Sequence, residues 1–365
     1  MANNKKTGSK NKRKKFNYII QIILCVIALS AITFSLFLLV RYYQLRQTAN
    51  DLQARLDVYT DPEDPYLSRS EADALISEAE LKAYEEGHAN GENDLLAQIK
   101  AQLIDSDSTM DTVKQMYPDE LIVVDHDEIL FYPILDTLIH HPYADEDFYS
   151  DSDGRIKYHG KEASTETWID VSKFQEKINW SKVADDGIDA AVIRLGYRGY
   201  SKGDIMDDDT FEYNIEEALD NGLKVGVYFL TQATSDSEAR EEAEYVLDHI
   251  RGYRLDCPIV LDVELVGGDE GRGNALSMEE RTQYAITFLD TIEAAGYDTC
   301  IYGNLKTFLL MLDMSKLEDR SKWFAGYTQT PYFPYAMDIW QYTDTGRVDG
   351  ISGDVDINIR FVTGE

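Results

Sequence analysis

The sequence predicts a distorted (β/α) barrel of about eight mostly parallel strands in its second half, preceded by a transmembrane helix and a helical/β stalk. Three observations predict this fold. An uncharged apolar run lies near the N-terminus, a polar stretch follows it, and from Trp168 onward short apolar strands alternate with amphipathic helices. Such alternation indicates a parallel sheet. About eight strands in some 200 residues favour a closed barrel over an open doubly wound sheet.

The predicted segments are a basic cytoplasmic tail (1–17), a transmembrane helix (18–40), a partly helical stalk (41–108), a small partly β connecting element (109–167) and the barrel (168–365). The apolar run can cross a hydrocarbon core of roughly 30 Å at about 1.5 Å per helical residue. Seven Lys and Arg lie between Lys5 and Lys15, so the positive-inside rule predicts a single-pass membrane protein with a cytoplasmic N-terminus and an extracytoplasmic barrel. The alternative is a cleaved signal peptide, whose apolar core is typically shorter.

Charge and residue usage exclude several classes of function. Residues 1–46 hold nine of the 35 basic residues and none of the 67 acidic ones. The remainder is therefore strongly acidic and a poor partner for nucleic acid or anionic lipid. His249 is the only histidine of the predicted barrel, which excludes a zinc deacetylase or a Ser-His-Asp hydrolase there. No metal or cofactor is predicted, and no protein partner is indicated.

Three smaller features complete this survey. Cys257 and Cys300 lack metal-site spacing, and a single bridge between them stays open. The run MDDDT around Asp208 favours a solvated loop over a calcium site. Before the barrel, residues 68–87 have helical periodicity, residues 119–134 read as a hairpin, and residues 154–164 indicate another.

The barrel elements follow in order. The predicted strands are WIDV (168–171), AAVIRL (190–195), KVGVYFL (224–230), PIVLDVEL (258–265), TCIYG (299–303), WFAGY (323–327), DIWQY (338–342) and DVDINI (354–359). Ser235 with Glu238 and Ser277 with Glu280 predict capped helix starts. Gly222 and Gly296 predict helix ends. Connections after Gly303 are short, which predicts an irregular second half of the barrel.

Two carboxylates in one apolar strand are the main sign of a site. Asp262 and Glu264 lie two residues apart and therefore share a strand face, which is inward if Leu261 and Val263 pack under helices. A buried carboxylate pair is costly unless it is paired or functional. A salt bridge to Arg194, whose direction the sequence leaves open, is the structural alternative.

Further acids occur at other strand ends, namely Asp170, Asp338 and Asp356. Converging carboxylates raise the pKa of the least solvated member, and a protonated acid beside ionised ones suits glycoside cleavage. Polar and aromatic side chains near these ends are predicted to bind a sugar, although core packing is equally open for each aromatic residue. They are Tyr197, Tyr228, Phe229, Tyr302, Asn304, Trp340, Gln341 and Tyr342.

The stretch WIDVSKFQEKINW (168–180) resembles the opening motif of the family 25 glycoside hydrolases, the Chalaropsis-type lysozymes. The resemblance continues through AAVIRLGYRGYSKGDIMDDDTFEYNIEEALDNGLKVGVYFLTQA and LDVEL to DIWQYTDTGRVDGISGDVDIN, and it covers residues 168–361. This sequence has Val263 where many relatives have an aromatic residue, and Glu176 where relatives usually have glycine.

The resemblance implies a distorted barrel and cleavage of the β-1,4 bond between N-acetylmuramic acid and N-acetylglucosamine in peptidoglycan. Glu264 matches the general acid, Asp262 its partner carboxylate, and Asp170 and Asp356 the acids of the first and last strands. A substrate-assisted retaining route becomes plausible on this basis. A catalytically inactive scaffold that binds wall glycan is the alternative function.

Overall fold

The computed structural model describes residues 35–36, 38–53, 73–84, 87, 97, 99–101, 109–125, 128–266 and 271–363. The chain divides into two units, Met1–Gln115 and Met116–Glu365. In the first unit, residues 38–53 and 73–84 are helical, the latter within the stretch predicted to be a helix. Helix α1 spans Thr109–Met116.

The predicted membrane segment, 18–40, lies mostly outside these described residues. Within the described ranges, every helix is too short or too polar to traverse a bilayer.

Two small hairpins precede the barrel. Strands β1 (Glu120–Asp125) and β2 (Glu128–Pro133) form the predicted antiparallel pair. Strands β3 (Phe148–Ser150) and β4 (Ile156–Tyr158) form the second. Its strands lie on both sides of residues 151–155, rather than both within residues 154–164 as predicted. The Asp151 carboxylate explains this turn, because it accepts the backbone N–H of Asp153 at 3.0 Å and of Arg155 at 2.9 Å.

Eight strands close a mixed barrel, which confirms the predicted barrel. They are β5 (Ser164–Val171), β6 (Ala190–Arg198), β8 (Lys224–Leu230), β9 (Ile259–Asp262), β10 (Thr299–Asn304), β11 (Lys322–Ala325), β12 (Ile339–Gly346) and β13 (Val355–Val362). Neighbours from β5 to β12 are parallel, whereas β13 is antiparallel to both β12 and β5 and closes the ring. An unpredicted strand, β7 (Ile205–Asp207), pairs with the end of β6.

The helices become irregular along the barrel, as predicted. Regular connections contain α2 (Trp180–Asp185), α3 (Phe211–Asp220), α4 (Asp236–His249) and α5 (Met278–Ala294). After β10 there are only short turns, a π-helical one at Thr307–Met311 and a 3₁₀ one at Met314–Lys316. Gly222 and Gly296 follow α3 and α5 at φ of 82° and 90°, a conformation that favours glycine.

The barrel wall has two differently packed faces. Its outer face belongs to a large apolar core in which Leu261 and Val263 share a cluster with Val246 of α4 and Phe288 of α5. The inner face carries a smaller cluster that includes Val260 and Trp323. Cys257 and Cys300 are buried as free thiols. Because side chains alternate along β9, Asp262 lies on the same inner face as Val260.

Candidate active site

Four carboxyl groups line one cavity of about 130 Å³ inside the barrel, Asp170, Asp262, Glu264 and Asp356. Asp170 and Asp356 are direct partners across the antiparallel pair β5–β13. Asp262 ends β9 and lies beside Tyr302 of β10. The cavity is also lined by Tyr228, Val260, Tyr302, Trp323 and Gln341. The alternating strand faces thus bring together acids that are far apart in sequence.

Glu264 lies beyond the end of β9, which is shorter than the predicted strand 258–265. Neighbouring elements hold its backbone in place of regular strand pairing. The Val263 N–H donates to the Tyr302 carbonyl at 3.1 Å, and the Thr307 hydroxyl donates to the Val263 carbonyl at 3.1 Å. Gln232, which is 2% exposed, donates through Nε2 to the Glu264 carbonyl at 3.2 Å. Hydrogen bonds therefore fix the backbone at Glu264, although this residue lies beyond the regular strand.

Neutral amides, rather than cations, hold Asp170. The Gln341 Nε2 and the Asn358 Nδ2 both donate to Asp170 Oδ2 at 2.9 Å. The oxygen of each amide is occupied elsewhere, since Gln341 Oε1 accepts the Tyr302 hydroxyl at 2.9 Å and Asn358 Oδ1 accepts the Trp323 indole N–H at 2.9 Å. These acceptor contacts direct both NH₂ groups toward the carboxylate.

Burial raises the pKa of all four carboxyls. The pKa of Asp170 rises to about 6 through burial, against the two amide hydrogen bonds. Burial and then the charge of Asp170 raise the pKa of Asp356 to about 9 and raise the pKa of Glu264. The pKa of Asp262 lies well above its ordinary value because of burial and then the neighbouring Glu264 and Asp170 charges. The cavity therefore retains protons at neutral pH.

In the described part of the chain, none of these four carboxyls forms an ion pair with Lys or Arg. Arg194 does point inward, and its charge partly offsets the raised pKa of Asp262. Its ion pair, however, is with Asp208 at 2.7 Å. Asp208 is 3% exposed, whereas Met206, Asp207 and Asp209 are exposed, so the run is solvated as predicted except at Asp208 itself. The run around Asp208 supplies the counterion that occupies Arg194.

Three of the predicted sugar-binding residues line the cavity, Tyr228, Tyr302 and Gln341. Tyr197 lies outside that lining, with its ring centroid 5.6 Å from the Arg194 guanidinium carbon. Asn304 is exposed, and its Oδ1 accepts the Thr307 N–H at 3.1 Å.

The remaining predicted residues lie elsewhere. Phe229, Trp340 and Tyr342 are buried in the outer core, where the Trp340 indole donates to the Gly326 carbonyl at 2.8 Å. Asp338 lies at the opposite end of β12 and pairs with Arg360 at 3.2 Å.

Two site features carried no clear sequence signal. Asn358 is fully buried, and nothing in DVDINI distinguishes it from a strand residue facing solvent. Phe174 is 75% exposed, and its ring centroid lies 5.0 Å from the Arg194 guanidinium carbon. The only sequence signal for Phe174 is its place four residues after Asp170. It offers a flat apolar surface beside Arg194.

Comparison with known proteins identifies relatives of the barrel. The model of the glycosyl hydrolases family 25 matches residues 169–351. The autolytic lysozyme of Clostridium acetobutylicum is 27% identical over 191 residues, which cover 52% of this chain and 54% of that protein. Lysozyme M1 of Streptomyces globisporus is 27% identical over 208 residues, covering 52% and 66%. The chain thus spans about half the length of the clostridial relative.

A solved structure shares the fold. The modular autolysin LytC from Streptococcus pneumoniae, in complex with a synthetic peptidoglycan ligand, superposes with a TM-score of 0.50 at 22% identity. The superposition covers 66% of this chain and 56% of that chain.

Proposed function

The chain belongs to glycosyl hydrolase family 25, and from that premise we propose that it cleaves the β-1,4 bond between N-acetylmuramic acid and N-acetylglucosamine in peptidoglycan. One observation carries the proposal: four carboxyls that pair with no Lys or Arg of the described ranges share a single cavity. The names of the two lysozyme relatives and the peptidoglycan ligand of LytC support this substrate class.

Glu264 is the general acid in this proposal. Glu264 and Asp356 are partly exposed, whereas Asp262 and Asp170 are buried, so Glu264 can reach a glycosidic oxygen at the mouth. Its raised pKa keeps a proton available for the leaving group. A positioned acid of this kind contributes about 10²–10⁴-fold in rate.

Asp262 has a different role, which its unpaired oxygen supports. Its Oδ1 is buried without a hydrogen-bond partner among the described residues. The N–H of a substrate 2-acetamido group is a donor that would satisfy it. As the acetamido oxygen attacks the anomeric carbon, positive charge develops on that group and lowers the pKa of Asp262. This substrate-assisted route retains configuration.

Asp170 and Asp356 complete the charge arrangement. With pKa values of about 6 and about 9, Asp170 is ionised and Asp356 protonated at neutral pH. Asp170 then stabilises the oxocarbenium-like transition state, and Asp356 can donate a hydrogen bond to the sugar.

The proposed setting is the outer face of a membrane. The uncharged run 18–40 and the basic residues before it support a single N-terminal anchor with the barrel outside. Tethering keeps the local concentration of this acidic protein high near the wall. Protease digestion of intact cells tests this topology, because an outside barrel is degraded while a cytoplasmic control protein survives.

The decisive experiment measures release of reducing ends from purified peptidoglycan by the full chain. Glu264→Gln should lower the rate at least about 100-fold, whereas the exposed helix variant Glu244→Gln should leave it unchanged. Circular dichroism verifies both folds. Retained turnover in Glu264→Gln would refute its role as the acid. Wall binding without release by the unaltered chain would favour the inactive scaffold.

A further inference from the structure

A second groove of about 390 Å³ lies beside the carboxylate cavity, on the outer side of the barrel wall. One of its walls comes from β12, β13 and the segment after β11, and the other from residues 153–156 in the β3–β4 hairpin. That hairpin precedes residues 169–351, the part that matches the family. We call this the flank groove and define it by Asp153, Arg155, Tyr327, Tyr342, Asp344 and Arg347.

The flank groove adjoins the cavity through the strand β12 itself. Gln341 faces the cavity, and the next residue, Tyr342, faces the groove. Tyr327 joins the two sites, because its hydroxyl donates to Gln341 Oε1 at 3.0 Å while its side chain is 52% exposed. A substrate held in the cavity would therefore have the groove within reach of any substituent directed over this rim.

The charges of the flank groove are uneven once their partners are considered. Both of its arginines are engaged, Arg155 by Asp186 and Arg347 by Asp354. The exposed carboxylates of Asp153 and Asp344 have no cationic partner in the described ranges. The groove therefore has a net negative charge that would attract an ammonium group.

A buried hydroxyl also points to a ligand. Tyr342 is 5% exposed, and its hydroxyl forms no hydrogen bond of good geometry with the described residues, although it faces the backbone of Ile156. A buried hydroxyl without a partner is costly, and a polar ligand group would offset that cost.

We propose that the flank groove binds an ammonium-bearing peptide substituent of the glycan substrate. This inference rests on the proposed function, because peptidoglycan carries a short peptide on the lactyl group of N-acetylmuramic acid, with a diamino acid at its third position. Three extended residues span about 10 Å, which is comparable to the distance across a sheet and its side chains. The hairpin before the family domain would thereby set a preference for peptide-bearing glycan.

The test compares three soluble glycan fragments with the full chain. One carries a tripeptide ending in lysine, one carries the same tripeptide with an acetylated lysine amine, and one carries no peptide. We expect kcat/KM to be about 2–10-fold higher for the free amine than for the acetylated form, the range of one or two partly exposed ion pairs. The double variant Asp153→Asn/Asp344→Asn should lose that preference, so that its ratio of kcat/KM on the free amine to kcat/KM on the acetylated amine falls to about 1. Asp248→Asn, an exposed aspartate on α4, should behave like the unaltered chain.

The outcomes separate this inference from the proposed function. Equal kcat/KM on the free and acetylated amines, with all three glycans cleaved, would overturn the groove assignment alone. If no fragment is cleaved, the hydrolase proposal fails. Binding of the free lysine tripeptide is then compared with its acetylated form by NMR, and equal affinity would overturn the groove as well.

Discussion

Replacing Gln341 with Met should move the acid limb of the pH–rate profile to higher pH. The substitution keeps the length of the side chain and removes one of the two amide donors that lie 2.9 Å from Asp170 Oδ2. A hydrogen bond to a charged group contributes about 1.5–3 kcal/mol, and 1.36 kcal/mol corresponds to about one pKa unit. The pKa of Asp170, about 6 in the unaltered chain, should therefore rise to about 7–8.

The sign of the effect follows from which form is active. Ionised Asp170 stabilises positive charge in the proposed mechanism, so activity falls as the pH drops through its pKa. The unaltered chain should lose half its kcat/KM near pH 6 and the variant near pH 7–8, while their rates converge at higher pH.

The assay is reducing-end release from soluble glycan between pH 4 and 9. Tyr327→Phe is the control, because it removes a hydroxyl that donates to Gln341 and leaves both donors to Asp170. The four carboxyls titrate as a set, so carboxyl NMR assigns the shifted step. An acid limb that stays near pH 6 in Gln341→Met would refute the reasoning.

Three further predictions concern Asp356, Glu176 and Phe174. Asp356→Asn should stabilise the fold by about 1–3 kcal/mol at pH 7, because the raised pKa of about 9 makes the folded state hold a proton that the unfolded state has lost. Below about pH 4 both states are protonated, so the gain in unfolding free energy, measured by urea denaturation, should vanish there. Glu176 has a φ of 54°, so Glu176→Gly should raise stability by about 0.5–2 kcal/mol, strain relief less the entropy of glycine, whereas Glu176→Ala should not; equal melting temperatures would contradict this. Phe174→Ala should raise KM about 3–10-fold with little change in kcat, and Phe174→Trp should restore it, if the ring stacks on sugar; unchanged KM would exclude that contact.

Local sequence signals predicted most of the barrel because they act within one element. The strand at Lys224–Leu230 has the predicted bounds. Ser277 and Glu280 form the predicted capping box. At Ser235 only half of the box exists, since its side chain accepts the Glu238 N–H while the Glu238 carboxylate binds Thr234 and Arg272. A tertiary partner thus replaced the local contact, and sequence spacing alone could not indicate that.

The locations of Trp340 and Tyr342 on β12 could not be predicted, because they depend on register. Side chains of a strand alternate between faces, so a prediction that assigns one residue to the wrong face assigns every residue of that strand to the wrong face. On β12 the inward residue is Gln341, whereas Trp340 and Tyr342 lie in the outer core. The register of β12 against β13 also shifts after Gln341. The sequence DIWQY contains no signal for that irregularity, which arises where the antiparallel last strand closes the barrel.

The chemistry of the cavity depends on its four acids and equally on Arg194, whose ion pair is with Asp208 and not with them. A carboxylate paired with an arginine is held ionised, because the opposite charge lowers its pKa. Here the inward guanidinium of Arg194 is bound by Asp208, and Asp170 is bound by uncharged amides that orient it while its pKa still rises to about 6. Burial of these acids therefore destabilises the folded state, and the large outer core supplies the stability that offsets this cost. Because none of the described Lys and Arg residues pairs with these carboxyls, the proposed acid Glu264 keeps a proton that it can deliver in the proposed mechanism.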